Sequence, residues 1–366
     1  MNTIEDYGWD SWFEGHFAQH RSAGLVPARI TRDTGPGFEV HSGDGMLAAE
    51  IRGKMRHTAQ SRGELPVIGD WVAVRLVPGE RKAVIDSVLP RKNSFARKEA
   101  GAKDRRRGGK TEEQVLTANV DTAFIVCGLD GYRSFNIRKV ERYIAMSLSS
   151  GAAPVVLLNK IDLCPEYQEH VAEVQALAPG IPAYPVSALQ RIGLEAIEPH
   201  LEAGKTGVFL GPSGVGKTAL LNALMGGAQL ETGEVRQSDG KGRHTTSHRQ
   251  MEVLPWGGLI IDTPGMRELA VWTDEHGIGM TFGDVESIAS LCKFKDCRHE
   301  AEPGCAIKKA LADGTLDPGR WHGYLKLQRE AAFLQRRKDA RLRLEDRKKW
   351  KKISILSKQI KKGRWG

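Results

Sequence analysis

Two short stretches of this sequence have the residues to hold a guanine nucleotide between them. "GPSGVGKT" supplies Gly211, Gly216, Lys217 and Thr218 in the spacing G-x-x-x-x-G-K-T. Glycines at these places let backbone N–H groups curl around phosphates, and a helix starting there adds its positive end. Pro212, Ser213, Gly214 and Val215 make up the rest of the loop. Lys217 can reach the β- and γ-phosphates, Thr218 can ligate Mg²⁺, and the amide of Ala219 would face the α-phosphate. The other stretch, "LLNKIDL", carries Asn159, Lys160, Ile161 and Asp162. A carboxylate at Asp162 can accept two hydrogen bonds, from guanine N1 and N2, which adenine cannot offer. Asn159 can bond the other edge of the base, and the Lys160 stem can cover its ring. In "VSAL", containing Ser187 and Ala188, the Ala188 amide is placed to meet guanine O6.

"IIDTPG" adds a third piece after an apolar run. Asp262 would hold Mg²⁺ through water, and the Gly265 amide would meet the γ-phosphate. "SDGKGRHTTSHRQ" is polar and glycine-bearing, as a mobile switch I should be. Thr245 or Thr246 is expected to ligate Mg²⁺ there; the spacing does not choose between them. Met266 follows DTPG, where many GTPases place a Gln that orients the attacking water. A thioether cannot do this, so slow intrinsic hydrolysis is expected, with His244 or His248 as candidates to complete the site.

A second constellation lies downstream. Cys292, Cys297, His299 and Cys305 read C-x₄-C-x-H-x₅-C. Three thiolates and one imidazole fill a tetrahedral Zn²⁺ site with no open position, hence a structural ion that contributes folding energy. Cys127 and Cys164, the other two of the 5 cysteines, read as structural residues.

The elements that must position these groups follow from pattern. "LVPARI", "FEV", "MLAAEI", "DWVAVRL" and "AVIDSVL" are short strand-like runs separated by Gly- and Pro-containing turns. They predict a small closed barrel over residues 23–95, of OB type or, second, SH3-like. Residues 1–22 read as an amphipathic N-terminal extension with no assigned role, and 96–115 as a mobile basic linker. From 116 to 275 strands and helices alternate: "TAFIVCG", a helix over 136–151, "PVVLLN", a helix over 166–178, "AYPVSA", a helix over 194–203, "TGVFLG", a helix from Lys217, "RQMEVLP" and "GLIID". This predicts a parallel, doubly wound α/β sheet with ligands at the carboxyl ends of its strands. All the nucleotide motifs then belong to one site, in the order guanine, guanine, phosphate, switch. An ordinary small GTPase has the phosphate loop first, so the domain is expected to be circularly permuted, its old termini joined and the chain cut elsewhere. The switch then leads directly into the C-terminal region, and nucleotide state is expected to set the angle between the two flanks.

Charge locates a partner. The chain of 366 residues carries 54 Lys and Arg against 45 Asp and Glu, for a net +9. Between Arg336 and Gly366 there are 14 basic and 3 acidic residues, leaving 40 against 42 elsewhere. The basic tail, 336–366, suits a polyanion such as RNA. No apolar run approaches the ~20 residues of a membrane span. An acidic, aromatic start and an odd cysteine count point to a cytoplasmic, reducing setting rather than secretion.

The chain resembles the ribosome small-subunit-dependent GTPases (the RsgA/YjeQ family), from about Leu25 to Glu330. The resemblance rests on "IRGK", "PVIGDWV", "NKID", "GPSGVGKT", "GRHTTSHR", "DTPGMRE" and "CKFKDCRHEAEPGC". It implies an N-terminal OB-fold, a circularly permuted GTPase domain and a mainly helical zinc-binding domain at 276–335, here followed by the basic helical tail. It further implies GTP hydrolysis late in maturation of the small ribosomal subunit, rRNA as a partner, GTP and GDP as ligands, and turnover stimulated by the subunit. A monomer is expected. Two alternatives are an RNA clamp that holds GTP as a structural ligand and an RNA-dependent ATPase; Asp162 argues against the second.

Overall fold

Apolar residues at every second position of five short strands face one another and close a barrel. The strands are β1 (Val26–Asp33), β2 (Phe38–Ser42), β3 (Gly45–Ile51), β4 (Trp71–Leu76) and β5 (Lys82–Val88). The order β1-β2-β3-β5-β4 closes through an antiparallel β1–β4 ladder, and β3 runs parallel to β5. This is the OB topology, not the SH3-like one. Ala28, Ile30, Val40, Val72, Val74 and Ile85 fill the interior. The computed structural model describes residues 3–53, 55, 59, 62–99, 112–131, 135–226, 250–262 and 274–338.

Two segments beside the barrel have structure that the pattern did not give. Within the expected extension, Tyr7, Trp9 and Phe13 pack on barrel residues. Asp10 caps helix α1 (Ser11–Arg21) by accepting from the Trp12 and Phe13 amides. Phe13 and Phe17 are buried with Trp9 and Trp71, and Tyr7 stacks on His41 with ring centroids 4.0 Å apart. The expected linker over 96–115 includes paired strands. β6 (Ser94–Glu99) and β7 (Glu112–Ala118) form an antiparallel ribbon, with Phe95 and Leu116 fully buried. The charge-dense sequence between them masked the apolar alternation.

The nucleotide-domain sheet is built from β8 (Thr122–Gly128), β9 (Ala153–Asn159), β10 (Ala183–Val186), β11 (Thr206–Leu210), β12 (Gln250–Val253) and β13 (Leu259–Asp262). Strands β10-β9-β8-β11-β13 run parallel, and β12 is an antiparallel edge whose Gln250 pairs with Arg32 of β1. Successive residues go to opposite faces, so both faces are apolar. Ile125, Val156 and Val208 join Val140 and Ile144 of α2 (Ile137–Ser149) in one core. Phe124, Leu157 and Phe209 join Leu220 and Leu221 of α4 (Lys217–Leu224) in the other. Helix α3 (Tyr167–Leu177) lies between β9 and β10 in the chain. The helix expected over 194–203 is instead two 3-10 turns, Leu194–Ala196 and Glu198–His200, the second opening on Pro199, which lacks the N–H to continue a helix. Burial pushes the Cys127 thiol up to about 12, in keeping with a structural role.

By packing, the chain divides into two compact units, Met1–Val271 and Trp272–Gly366. Barrel and nucleotide domain therefore belong to one unit. The second unit contains α5 (Glu275–Thr281), α6 (Gly283–Ser290), α7 (Ala306–Ala312) and α8 (Pro318–Lys338). Phe282, Val285, Ile307 and Leu327 are buried in it, and Arg320 makes a two-pronged contact with Asp284 at 2.6 Å. Residues 339–366 of the basic tail lie outside the described residues. Among the described residues no helix is long and apolar enough to cross a membrane.

Candidate nucleotide site and metal centre

Strand β11 is buried along its whole length, so the chain leaving it emerges at the centre of the sheet edge. Val215, fully buried, anchors the loop from below, while Ser213 and Gly214 are exposed. Gly216 then caps α4 with φ +98°, and a Cβ there would sit 2.3 Å from Asn159 Nδ2. Only glycine allows that approach. Lys217 Nζ lies across the loop, donating to the carbonyls of Gly211 (2.8 Å) and Pro212 (2.6 Å). Thr218 and Ala219, in the first turn of α4, are half-buried.

The guanine-reading segment is tied to this loop directly. Asn159 ends β9 and is buried; its Nδ2 donates to Val215 O (2.8 Å) and its Oδ1 accepts from the Ala188 amide (3.0 Å). One side chain thus joins all three loops. In this arrangement Asn159 and the Ala188 amide, both expected near the base, bond each other. Lys160 stands in the left-handed region (φ 68°) and donates from Nζ to Gly214 O (2.6 Å). Ile161 opens a 3-10 turn that contains Asp162. Ser187 Oγ donates to Asp162 Oδ1 (2.5 Å) and accepts from the Gln190 amide (3.1 Å). A Ser187–Ile192 bridge closes this second loop.

Sequence reasoning missed Arg191. Its Nη2 donates to Ala223 O (2.8 Å), so the loop beside the guanine segment also caps the end of the phosphate-loop helix. A basic residue four after Ser187 was the only signal. Asp262 ends β13, next to β11 in the sheet. Gly265, Met266, His244, Thr245, Thr246 and His248 lie outside the described residues.

In the second unit Cys292, Cys297, His299 and Cys305 bring four ligand atoms within 4.8 Å of one another. His299 Nδ1 is 3.6 Å from Cys292 Sγ and 3.4 Å from Cys305 Sγ, and those sulfurs are 4.0 Å apart. A tetrahedral zinc with ordinary bond lengths needs edges of about 3.6 Å (N–S) and 3.8 Å (S–S), so the donors fit a bound metal ion. The Ala306 and Lys308 amides donate to the Cys292 and Cys305 sulfurs, as thiolates require. His299 meets the Trp321 ring edge-on, which couples the cluster to α8.

The loop between the ligands is shaped by Glu302. Its carboxylate accepts from the Arg298, Glu300 and Ala301 amides at 2.9, 2.9 and 3.0 Å. These amides, Arg298 foremost, pull its pKa to about 2. Removing it with Glu302→Ala should weaken metal retention about tenfold, read by chelator competition, since the ligands lose their scaffold. Unchanged retention would mean that the ligands alone hold the loop.

A G-x-x-x-x-G-K-T loop, an N-K-x-D segment and a strand-end aspartate on one parallel sheet define a P-loop GTPase whose N-K-x-D segment precedes its phosphate loop. A family model described as RsgA GTPase matches residues 88–272. The chain belongs to the RsgA GTPase family. It is 43% identical, over 99% of its length and 100% of the relative's, to the small ribosomal subunit biogenesis GTPase RsgA of Opitutus terrae. It is 41% identical to that of Syntrophotalea carbinolica, over 98% of this chain and 97% of the other. Its fold is similar to the crystal structure of YjeQ from Thermotoga maritima (TM-score 0.60, 24% identity, 84% of this chain and 99% of that one). It is likewise similar to YloQ, described as a circularly permuted GTPase (TM-score 0.57, 23% identity, 84% and 95%).

Proposed function

We propose that this protein hydrolyses GTP during late maturation of the small ribosomal subunit, in the cytoplasm and as a monomer, and that docking on the subunit raises its turnover. The observation that carries the reading is Asn159, whose amide joins the base-reading loops to the phosphate loop, so that guanine and phosphate are bound as one unit. The curated relatives are named as GTPases of small ribosomal subunit biogenesis. Lys217 would balance charge on the β- and γ-phosphates, and Thr218 and Asp262 would hold Mg²⁺, which neutralises developing charge there when bound. With Met266 after the switch glycine, the attacking water lacks the usual amide; His244 or His248 is proposed to take that place, and Thr245 or Thr246 to complete the magnesium shell. Zn²⁺ on Cys292, Cys297, His299 and Cys305 would be structural. rRNA would meet the barrel, the metal-binding unit and the basic tail.

The test is GTP turnover with and without purified small subunits, with excess ATP as competitor. Strong stimulation that ATP does not suppress, and its loss in Lys217→Ala, is the expected result. Tight GTP binding with no stimulation would replace this reading with that of an RNA clamp.

A further inference from the structure

Lys160 is expected to lay its carbon stem along the guanine ring, yet a lysine side chain is among the most mobile. What fixes it is visible in the sheet order. Strand β8 lies between β9, which leads to the guanine segment, and β11, which leads to the phosphate loop. The ladder between β8 and β9 runs to their ends, and the Leu129 amide extends it by bonding Asn159 O (2.8 Å). Leu129 is buried, so the next residue, Asp130, emerges between the two nucleotide loops. Its carboxylate pairs with Lys160 Nζ, the same ammonium that donates to Gly214 O of the phosphate loop. Both side chains are mostly covered, at 24% and 32% exposure. The backbone end of Lys160 is fixed as well, by its left-handed conformation at the head of a 3-10 turn.

We propose that Asp130 is a positioning residue for nucleotide binding: it clamps the Lys160 ammonium against the phosphate loop and so holds the lysine stem as a ready-made wall for the guanine ring. This rests on the reading of the site as a guanine-nucleotide site. An exposed surface ion pair would do little, because solvent screens it and both side chains lose freedom to form it. Here the lysine has a second, fixed acceptor in Gly214, so the carboxylate completes a two-point tether rather than creating a contact on its own. Preorganisation of this kind shortens the list of motions that must be frozen when ligand binds, and its loss appears in the off-rate.

The experiment uses the full chain and a fluorescent GDP analogue, with dissociation followed by stopped flow. Asp130→Asn, close in shape, should raise the off-rate about fivefold, the scale of a partly covered pair, with the on-rate little changed. Asp130→Glu keeps the charge and should recover part of that loss. In Lys160→Met the stem remains but the ammonium is gone, and adding Asp130→Asn to it should change nothing further. The thermal midpoint of the nucleotide-free protein should be the same in the wild type and Asp130→Asn, which separates positioning from folding. An off-rate unchanged in Asp130→Asn, or one that rises as much in the Lys160→Met background as in the wild type, overturns the proposal while leaving the nucleotide site intact. Failure of the wild type to bind the analogue at all overturns the nucleotide reading and this proposal together.

Discussion

Arg29→Met should lower the thermal midpoint of the Met1–Val271 unit by on the order of 10 °C, one of the largest effects expected of a single substitution outside the nucleotide site. Arg29 is a charged residue in the middle of β1, and its guanidinium is fully buried. It donates to Tyr7 O before α1, to Gly69 O of the barrel (3.3 Å), to Asn119 O (3.2 Å) and to Thr206 Oγ1 (2.8 Å), the first residue of the strand that carries the phosphate loop. Burial pushes its pKa down to about 10, opposed by Asp121, Asp70 and Asp10, so it stays protonated at neutral pH. Methionine fills much of the volume but supplies no donor. The acceptors it abandons are buried and cost about 1–3 kcal/mol each where no other donor reaches them. Losing one side of a buried charge network costs about 3–5 kcal/mol in all. Arg29→Lys should fail to restore stability, because one ammonium cannot span acceptors in four directions. A midpoint within about 2 °C of wild type would assign the seam to apolar packing instead.

The same seam has further contacts between the barrel and the nucleotide sheet. Gly69 of "PVIGDWV" has φ +88°, and a Cβ there would lie 2.2 Å from Ala118 O, so the barrel backbone presses on the end of β7. Asp70 beside it is held by Arg91 at 2.7 Å through both oxygens. Asp121, just before β8, accepts from the Thr206 amide (2.8 Å), tying the approach to β8 to the first residue of the neighbouring β11. The barrel is thus keyed to the amino-terminal edge of the nucleotide sheet by backbone contacts and buried ions.

The places where sequence reading succeeded and failed share a physical pattern. The strands of barrel and sheet were legible because burial dictates apolar residues locally, at alternate positions in the barrel and as a continuous run in "TAFIVCG", whose seven residues are all buried in β8. The phosphate and guanine motifs were legible because their chemistry dictates residue type and spacing. What could not be read was decided between distant segments. Arg29 and Thr206 are 177 residues apart, and nothing near Arg29 marks it as buried. Trp9, Phe13 and Phe17 lie in a stretch legible only as an amphipathic extension, and Trp71 shows what they cover. Asp130 belongs to no motif and owes its place to the position of β8 between two loops.

Asp162→Asn should reverse base preference, lowering affinity for GDP about a thousandfold and favouring xanthosine diphosphate, because a site built to bond particular donors rejects a ligand that presents the wrong ones. The geometry makes this substitution clean. Ser187 Oγ donates to Asp162 Oδ1, and the bridge to Ile192 together with the Gln190 amide holds Ser187 itself. An asparagine carbonyl can accept the same hydroxyl, so the loop should keep its shape. Its NH₂ group then stands where a carboxylate oxygen accepted from guanine N1 and N2, and meets two donors with a donor. Xanthine carries a carbonyl at C2, which turns that clash into a hydrogen bond. Competition of GDP and xanthosine diphosphate for a fluorescent nucleotide measures the reversal directly. If Asp162→Asn still preferred GDP, the base would be read by other groups, and the tie from Ser187 to Asp162 would serve only to close the loop.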